Sequence, residues 1–275
     1  MIKSSSTAET DAATVDIINR KILRHTIQFF NKDDKGRLKP FASGVLLYTH
    51  GAHFILTASH VADYLEKDEN DLYIRVDKKN YVNVLGDIKY THIEKSKGID
   101  LAYIKIDPQM VKPLSQPYEF LTIDKVRNHN KRLDGMNYCV IGFPEVNVSR
   151  ESGTMETGAN FYLTPAMNEK PYKHYGFDPN NFFLVEMKGK GTDVRTGGTV
   201  KVDPHFYGIS GCGLWYLLYN VNPQSGAVTV DYRLIGIMTE FKRGKFYCLI
   251  ANKIHLMIEA FKIIEGFKYK VIDVP

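Results

Sequence analysis

Gly208-Ile209-Ser210-Gly211-Cys212-Gly213-Leu214-Trp215 places a serine between glycines and runs directly into an apolar segment, Leu214 to Tyr219. Glycine takes positive φ without steric penalty and lets successive backbone N–H groups converge. Such a nest can receive a developing oxyanion. In isolation the stretch reads as readily as an ordinary glycine-rich turn before a buried strand. The span from Phe206 to Val230 carries no charge. It is interrupted by Gly208, Gly211, Gly213, Asn220, Pro223 and Gly226. A membrane helix needs about 20 mostly apolar residues, so the span reads as a strand with turns.

Two earlier segments carry chemistry-bearing residues in the same manner. In Phe54-Ile55-Leu56-Thr57-Ala58-Ser59-His60-Val61 an apolar strand runs through small residues to a histidine. Taken alone, His60 is a histidine ending a strand, its ring satisfied by a carbonyl. In Gly98-Ile99-Asp100-Leu101-Ala102-Tyr103-Ile104 an aspartate stands at the start of an apolar strand. Asp100 alone caps a turn. Its apolar neighbours imply a carboxylate partly withdrawn from water, which requires a hydrogen-bonded partner.

Further strands read out around these three: 25–30, 42–48, 72–76, 87–93, 137–142, 182–187, 227–232, 234–239 and 246–251. Many short strands with frequent turns indicate a barrel or sandwich rather than alternating βαβ units. Val15, Ile18 and Ile22 recur at helical spacing near the start. Ile254, Met257, Ile258, Phe261 and Ile264 do so near the end, with Asn252 as N-cap and Gly266 just past the helix. The stretch 144–173 has weak periodicity and reads as one long loop.

Composition narrows the function. The chain has 275 residues, 44% of them hydrophobic and 24% charged, which is ordinary for a globular protein. Cys139, Cys212 and Cys248 are too few for a disulfide framework. They show no metal-ligand spacing, so neither a metal nor another cofactor is expected. The net charge of +5 is mild, and the densest basic run, Lys242-Arg243-Gly244-Lys245, reads as a solvated turn. Neither nucleic acid nor membrane is an expected partner. The first residues lack the apolar core of a signal peptide, so a cytoplasmic protein is expected.

Together, in the order His, Asp, Ser, the three segments resemble the chymotrypsin/trypsin-like serine proteases. Thr57-Ala58-Ser59-His60-Val61 is similar to that family's T-A-A-H-C motif. Asp100-Leu101-Ala102-Tyr103-Ile104-Lys105-Ile106 resembles its D-I-A-L-L-K-L, and 208–215 its G-D-S-G-G-P-L loop. Leu234-Ile235-Gly236-Ile237-Met238-Thr239 resembles its L-V-G-I-V-S strand. Phe41-Ala42-Ser43-Gly44-Val45-Leu46-Leu47 resembles its F-x-G-x-L strand. The resemblance spans roughly 40–265. It implies a mainly β, trypsin-like double β-barrel with a helix at each end. Residues 1–25 would be a tail and short helix, and 26–275 the protease domain. Within that domain the first barrel spans about 26–135, the second about 136–250 and the C-terminal helix about 252–265.

The implied function is a serine endopeptidase acting on protein or peptide substrates. His60, Asp100 and Ser210 would form its triad, and the N–H groups of Gly208 and Ser210 its oxyanion hole. Thr239, Glu240, Phe241 and His205 would line the substrate site. Ile209 replaces the aspartate that receives a new N-terminus in secreted members, which points to a bacterial, intracellular type of member. Cys212 and Gly213 replace the usual Gly-Pro, Cys212 reading as a buried filler. Pro204 stands where trypsin has its pocket aspartate, so a Lys/Arg preference is not implied. A cytosolic protease needs restraint, so a regulatory partner is expected, gated through 144–173 or the N-terminal helix. The competing reading is a catalytically inactive binding or scaffold protein on the same fold.

Overall fold

The computed structural model describes residues 7–67, 70–91, 98–130, 132–133, 135, 137–143, 148–151, 154–192, 199–201, 208–269 and 272–274. It is a mainly β molecule of two curled sheets, flanked by an N-terminal helix, α1 (Thr7–Arg20), and a C-terminal helix, α5 (Ile254–Ile264). The trypsin-like double β-barrel is thus the observed architecture.

The first sheet holds β1 (Thr26–Lys32), β2 (Leu38–Thr49), β3 (Ala52–Thr57), β4 (Tyr73–Arg75), β5 (Tyr81–Asn83), β6 (Gly86–Tyr90) and β7 (Ala102–Ile106). They lie in the order β5-β4-β1-β2-β3-β7-β6, with the short β8 (Leu121–Thr122) parallel to β2. The second holds β9 (Tyr138–Gly142), β12 (Asn160–Thr164), β13 (Phe182–Glu186), β16 (Gly213–Val221), β17 (Val228–Lys242) and β18 (Cys248–Lys253), in the order β12-β9-β16-β17-β18-β13. Two hairpins stand apart: β10 (Val148–Glu151) with β11 (Thr154–Thr157), and β14 (Lys190–Thr192) with β15 (Thr199–Lys201). Three short helices lie between strands: α2 (Ser59–Glu66), α3 (Pro108–Leu114) and α4 (Glu169–Tyr175).

Strand side chains alternate in direction, and here both directions are buried. Ile55, Leu46 and Ile104 point into the first barrel. Their neighbours Phe54, Leu56, Val45, Leu47 and Tyr103 face the other way, into a core shared with Trp215, Leu217, Leu234 and Ile237 of the second sheet. Ile18 of α1 and Ile254, Met257, Ile258 and Phe261 of α5 complete that shared core. The second barrel has its own filling, including Val140, Phe183, Cys212, Leu214 and Leu249. Double burial explains why these strands read as unbroken apolar runs.

Four expectations change. Residues 144–173 are not one loop: the described part forms β10, β11 and β12 and the first turns of α4. Strand β12 pairs with β9 at the sheet edge, half-buried along most of its length, so its hydrophobic pattern is faint although its backbone is fully in register. The strands expected at 227–232 and 234–239 are one long strand, β17. The α5 N-cap is Lys253 rather than Asn252, because Asn252 still pairs within β18. Gly266, at φ +70°, does follow the helix as expected. Finally, His60 does not end a strand. It is the second residue of α2, whose Val61 and Leu65, one turn apart, face the first-barrel core.

Candidate functional site: a cleft between the two barrels

Helix α2 begins where β3 ends, and its first turn leaves backbone N–H groups without intrahelical acceptors. The Asp100 carboxylate fills this role. Its Oδ1 accepts the His60 backbone N–H at 3.0 Å, while its Oδ2 accepts the His60 ring at Nδ1, 2.7 Å away. The positive end of the helix favours a carboxylate there. A carboxylate only accepts, so Nδ1 carries a proton, and in the neutral ring Nε2 is the nitrogen with the free lone pair. The Asp100 side chain is 12% exposed and that of His60 42%, so the acid is shielded while the ring reaches the cleft. Asp100 itself is held by its backbone: its N–H donates to Oδ1 of Asn252 at 2.9 Å.

Ser210 lies in a turn shaped from the opposite barrel. Gly208 and Gly211 take φ of +93° and +85°. The hydroxyl of Ser43, on β2, donates to the Gly208 carbonyl at 2.7 Å, and the Ser43 N–H donates to the Ser210 carbonyl at 2.8 Å. The N–H of Gly211 donates to the Met238 carbonyl at 2.7 Å. A Cβ on Gly211 would stand 2.1 Å from both the Ser43 carbonyl oxygen and Thr57 Oγ1, so only glycine fits. The N–H groups of Gly208 and Ser210 donate to no described residue.

His60, Gly208 and Ser210 line one cleft of about 570 Å³. No hydrogen bond joins the Ser210 hydroxyl to the His60 ring; among the described residues the ring bonds to Asp100. Thr239, Glu240 and Phe241 line the same cleft. Thr239 is the extra residue of a β-bulge between Met238 and Glu240, and Glu240 and Phe241 follow it on β17. The Phe241 ring packs edge-on against Tyr247 with centroids 5.0 Å apart. Glu240 pairs with Lys242. His205 and Pro204 lie outside the described residues.

Three contributors escaped the sequence reading. Arg243, whose basic run reads in sequence as a solvated turn, lines the cleft. Ser43 sits inside a quoted motif, but nothing local marks its hydroxyl as the clamp on a turn far along the chain. Asn252 was legible only as a helix cap. Cys212 is fully buried, and burial pushes its thiol well above the usual range, which suits an inert filler.

Compared with protein-family models and with curated proteins, the sequence matches none. What the structure establishes is a double-barrel fold consistent with the trypsin-like protease superfamily, carrying a His–Asp pair that resembles the one in those enzymes. Among the described residues no helix is long and apolar enough to cross a membrane.

Proposed function

We propose that the chain is a serine endopeptidase whose triad is His60, Asp100 and Ser210. The observation that carries this reading is the two-point grip of Asp100 on His60, beside a cleft that Ser210 also lines. A serine hydroxyl is too weak an acid to attack a peptide carbonyl unaided. In the proposed reaction Ser210 Oγ attacks the scissile carbon as its proton passes to His60 Nε2. Asp100 holds the ring and stabilises the imidazolium. The N–H groups of Gly208 and Ser210 receive the carbonyl oxygen as it gains negative charge. His60 then protonates the departing amine, leaving an acyl ester on Ser210. Water, deprotonated by the same ring, hydrolyses that ester.

Substrate would be a protein or peptide. Its backbone would lie along Thr239–Phe241, with His205 a further proposed lining residue. Residues 26–275 are read as the protease domain. Ile209 before the serine and three free, buried cysteines favour a cytoplasmic, bacterial-type member; such a protease needs restraint, so a regulatory protein partner belongs to the same proposal.

A fluorophosphonate probe tests the reading. Covalent labelling of wild type and none of Ser210→Ala is the expected outcome. The absent bond between Ser210 and His60 favours the second reading, an inactive binding protein on this fold. Failure of wild type to label, with and without added cell extract, would count for that alternative and against the enzyme reading. Catalytic hydrogen bonds are often long before substrate binds, so the enzyme reading is the stronger.

A further inference from the structure

The triad reading divides its residues between the barrels, and their relative placement depends on how the barrels are pinned. One pin is Ser43, reaching from the first sheet to the serine turn. Another runs in the opposite direction. Asn252 lies on β18 of the second sheet, in register with Phe182 on one side and Ile237 on the other, and is fully buried. Its Oδ1 accepts the backbone N–H of Asp100 at 2.9 Å, just before β7 of the first sheet. Its Nδ2 is buried with no hydrogen-bond partner among the described residues.

A buried amide donor left unpaired weakens a fold, and an apolar side chain of the same shape would avoid that loss. The amide therefore sits where it harms stability, and its side-chain hydrogen bond is to the backbone of Asp100. Both carboxylate oxygens of Asp100 are already engaged by His60, so a displacement of the Asp100 backbone carries the ring with it. We propose that Asn252 is a positioning residue: from the opposite barrel it sets where the His60–Asp100 pair stands relative to Ser210. This inference rests on the triad reading above.

Two variants and two readouts test it. Asn252→Leu keeps the shape and removes the acceptor. Asn252→Asp keeps an acceptor oxygen, on a carboxyl that burial and the neighbouring Asp100 charge hold protonated. The first readout is the rate of fluorophosphonate labelling. The second is the low-field proton resonance of His60 Nδ1, which is observable whether or not the chain is an enzyme. Asn252→Leu is expected to remain folded, to shift or broaden that resonance and to label about 10- to 100-fold more slowly, the cost of a misplacement near 1 Å. Asn252→Asp is expected to restore labelling to within a few-fold of wild type. Wild-type labelling and an unmoved resonance in Asn252→Leu would overturn the proposal. Should that variant unfold, slow labelling by a folded Asn252→Asp would overturn it instead. If wild type itself does not label, the triad reading falls, and the resonance alone decides whether Asn252 positions the pair.

Discussion

Asp100 touches His60 at two points, and the two contacts do different work. The bond to the backbone N–H fixes the start of α2, whereas the bond to Nδ1 fixes the ring tautomer. Asp100→Asn retains a side chain of the same shape but offers an amide where the ring needs a full acceptor. It is expected to leave the fold intact and lower turnover by about 10⁴, measured as kcat on a peptide substrate. Gly211 makes a different demand. Its positive φ and the 2.1 Å approach of a Cβ to Ser43 and Thr57 predict that Gly211→Ala abolishes labelling and lowers the thermal midpoint. His60, Asp100 and Ser210 were legible as candidates through the order of three segments that resemble one family's motifs; alone, each reads as an ordinary strand end or turn. Ser43 and Asn252 were not, because each acts on a backbone group remote in sequence and carries no distinctive local pattern.

Among the elements, α5 contributes most visibly to joining the barrels. Phe261 is fully buried, with ring centroids 4.8 Å from Phe54 and 4.7 Å from Tyr103, both of the first sheet. Phe261→Ala is expected to cost about 3–5 kcal/mol, read from urea unfolding, since the surrounding rings cannot collapse into the space. The helix was legible because its apolar residues keep a 3.6-residue period. Its start was misplaced by one residue because Asn252, a favoured cap by type, is held in the sheet by β17. Strand β12 shows the converse. Its edge position leaves only a weak burial pattern, and backbone pairing with β9, invisible in side-chain periodicity, is what orders it.

Across the whole molecule, buried imidazoles link stability to acidity. His129 packs against Tyr138, whose hydroxyl receives the Leu133 N–H and is hydrogen-bonded to Nε2 of His129 at 2.7 Å. Burial pushes His129 down from 6.5 to about 4. Between those values the unfolded chain holds a proton that the folded chain refuses. The stabilisation is therefore complete above pH 6.5 and is lost as pH falls toward 4, by roughly 3 kcal/mol. Burial of His25 lowers its affinity for protons too and adds in the same direction. His129→Gln is expected to flatten the decline in urea midpoint between pH 7 and 5; an unchanged slope would assign the decline to other groups. The two-barrel architecture was legible from strand density and the order of the motifs. The shared core was not, since nothing along the chain says which face of a doubly buried strand meets the other barrel.

The clamp from Ser43 has a consequence for a chain still emerging from the ribosome. The strand that carries the clamp is made first, and the turn it holds follows more than 160 residues later, so this contact closes only once both barrels are present. On the triad reading, the surroundings of Ser210 are therefore completed late in assembly.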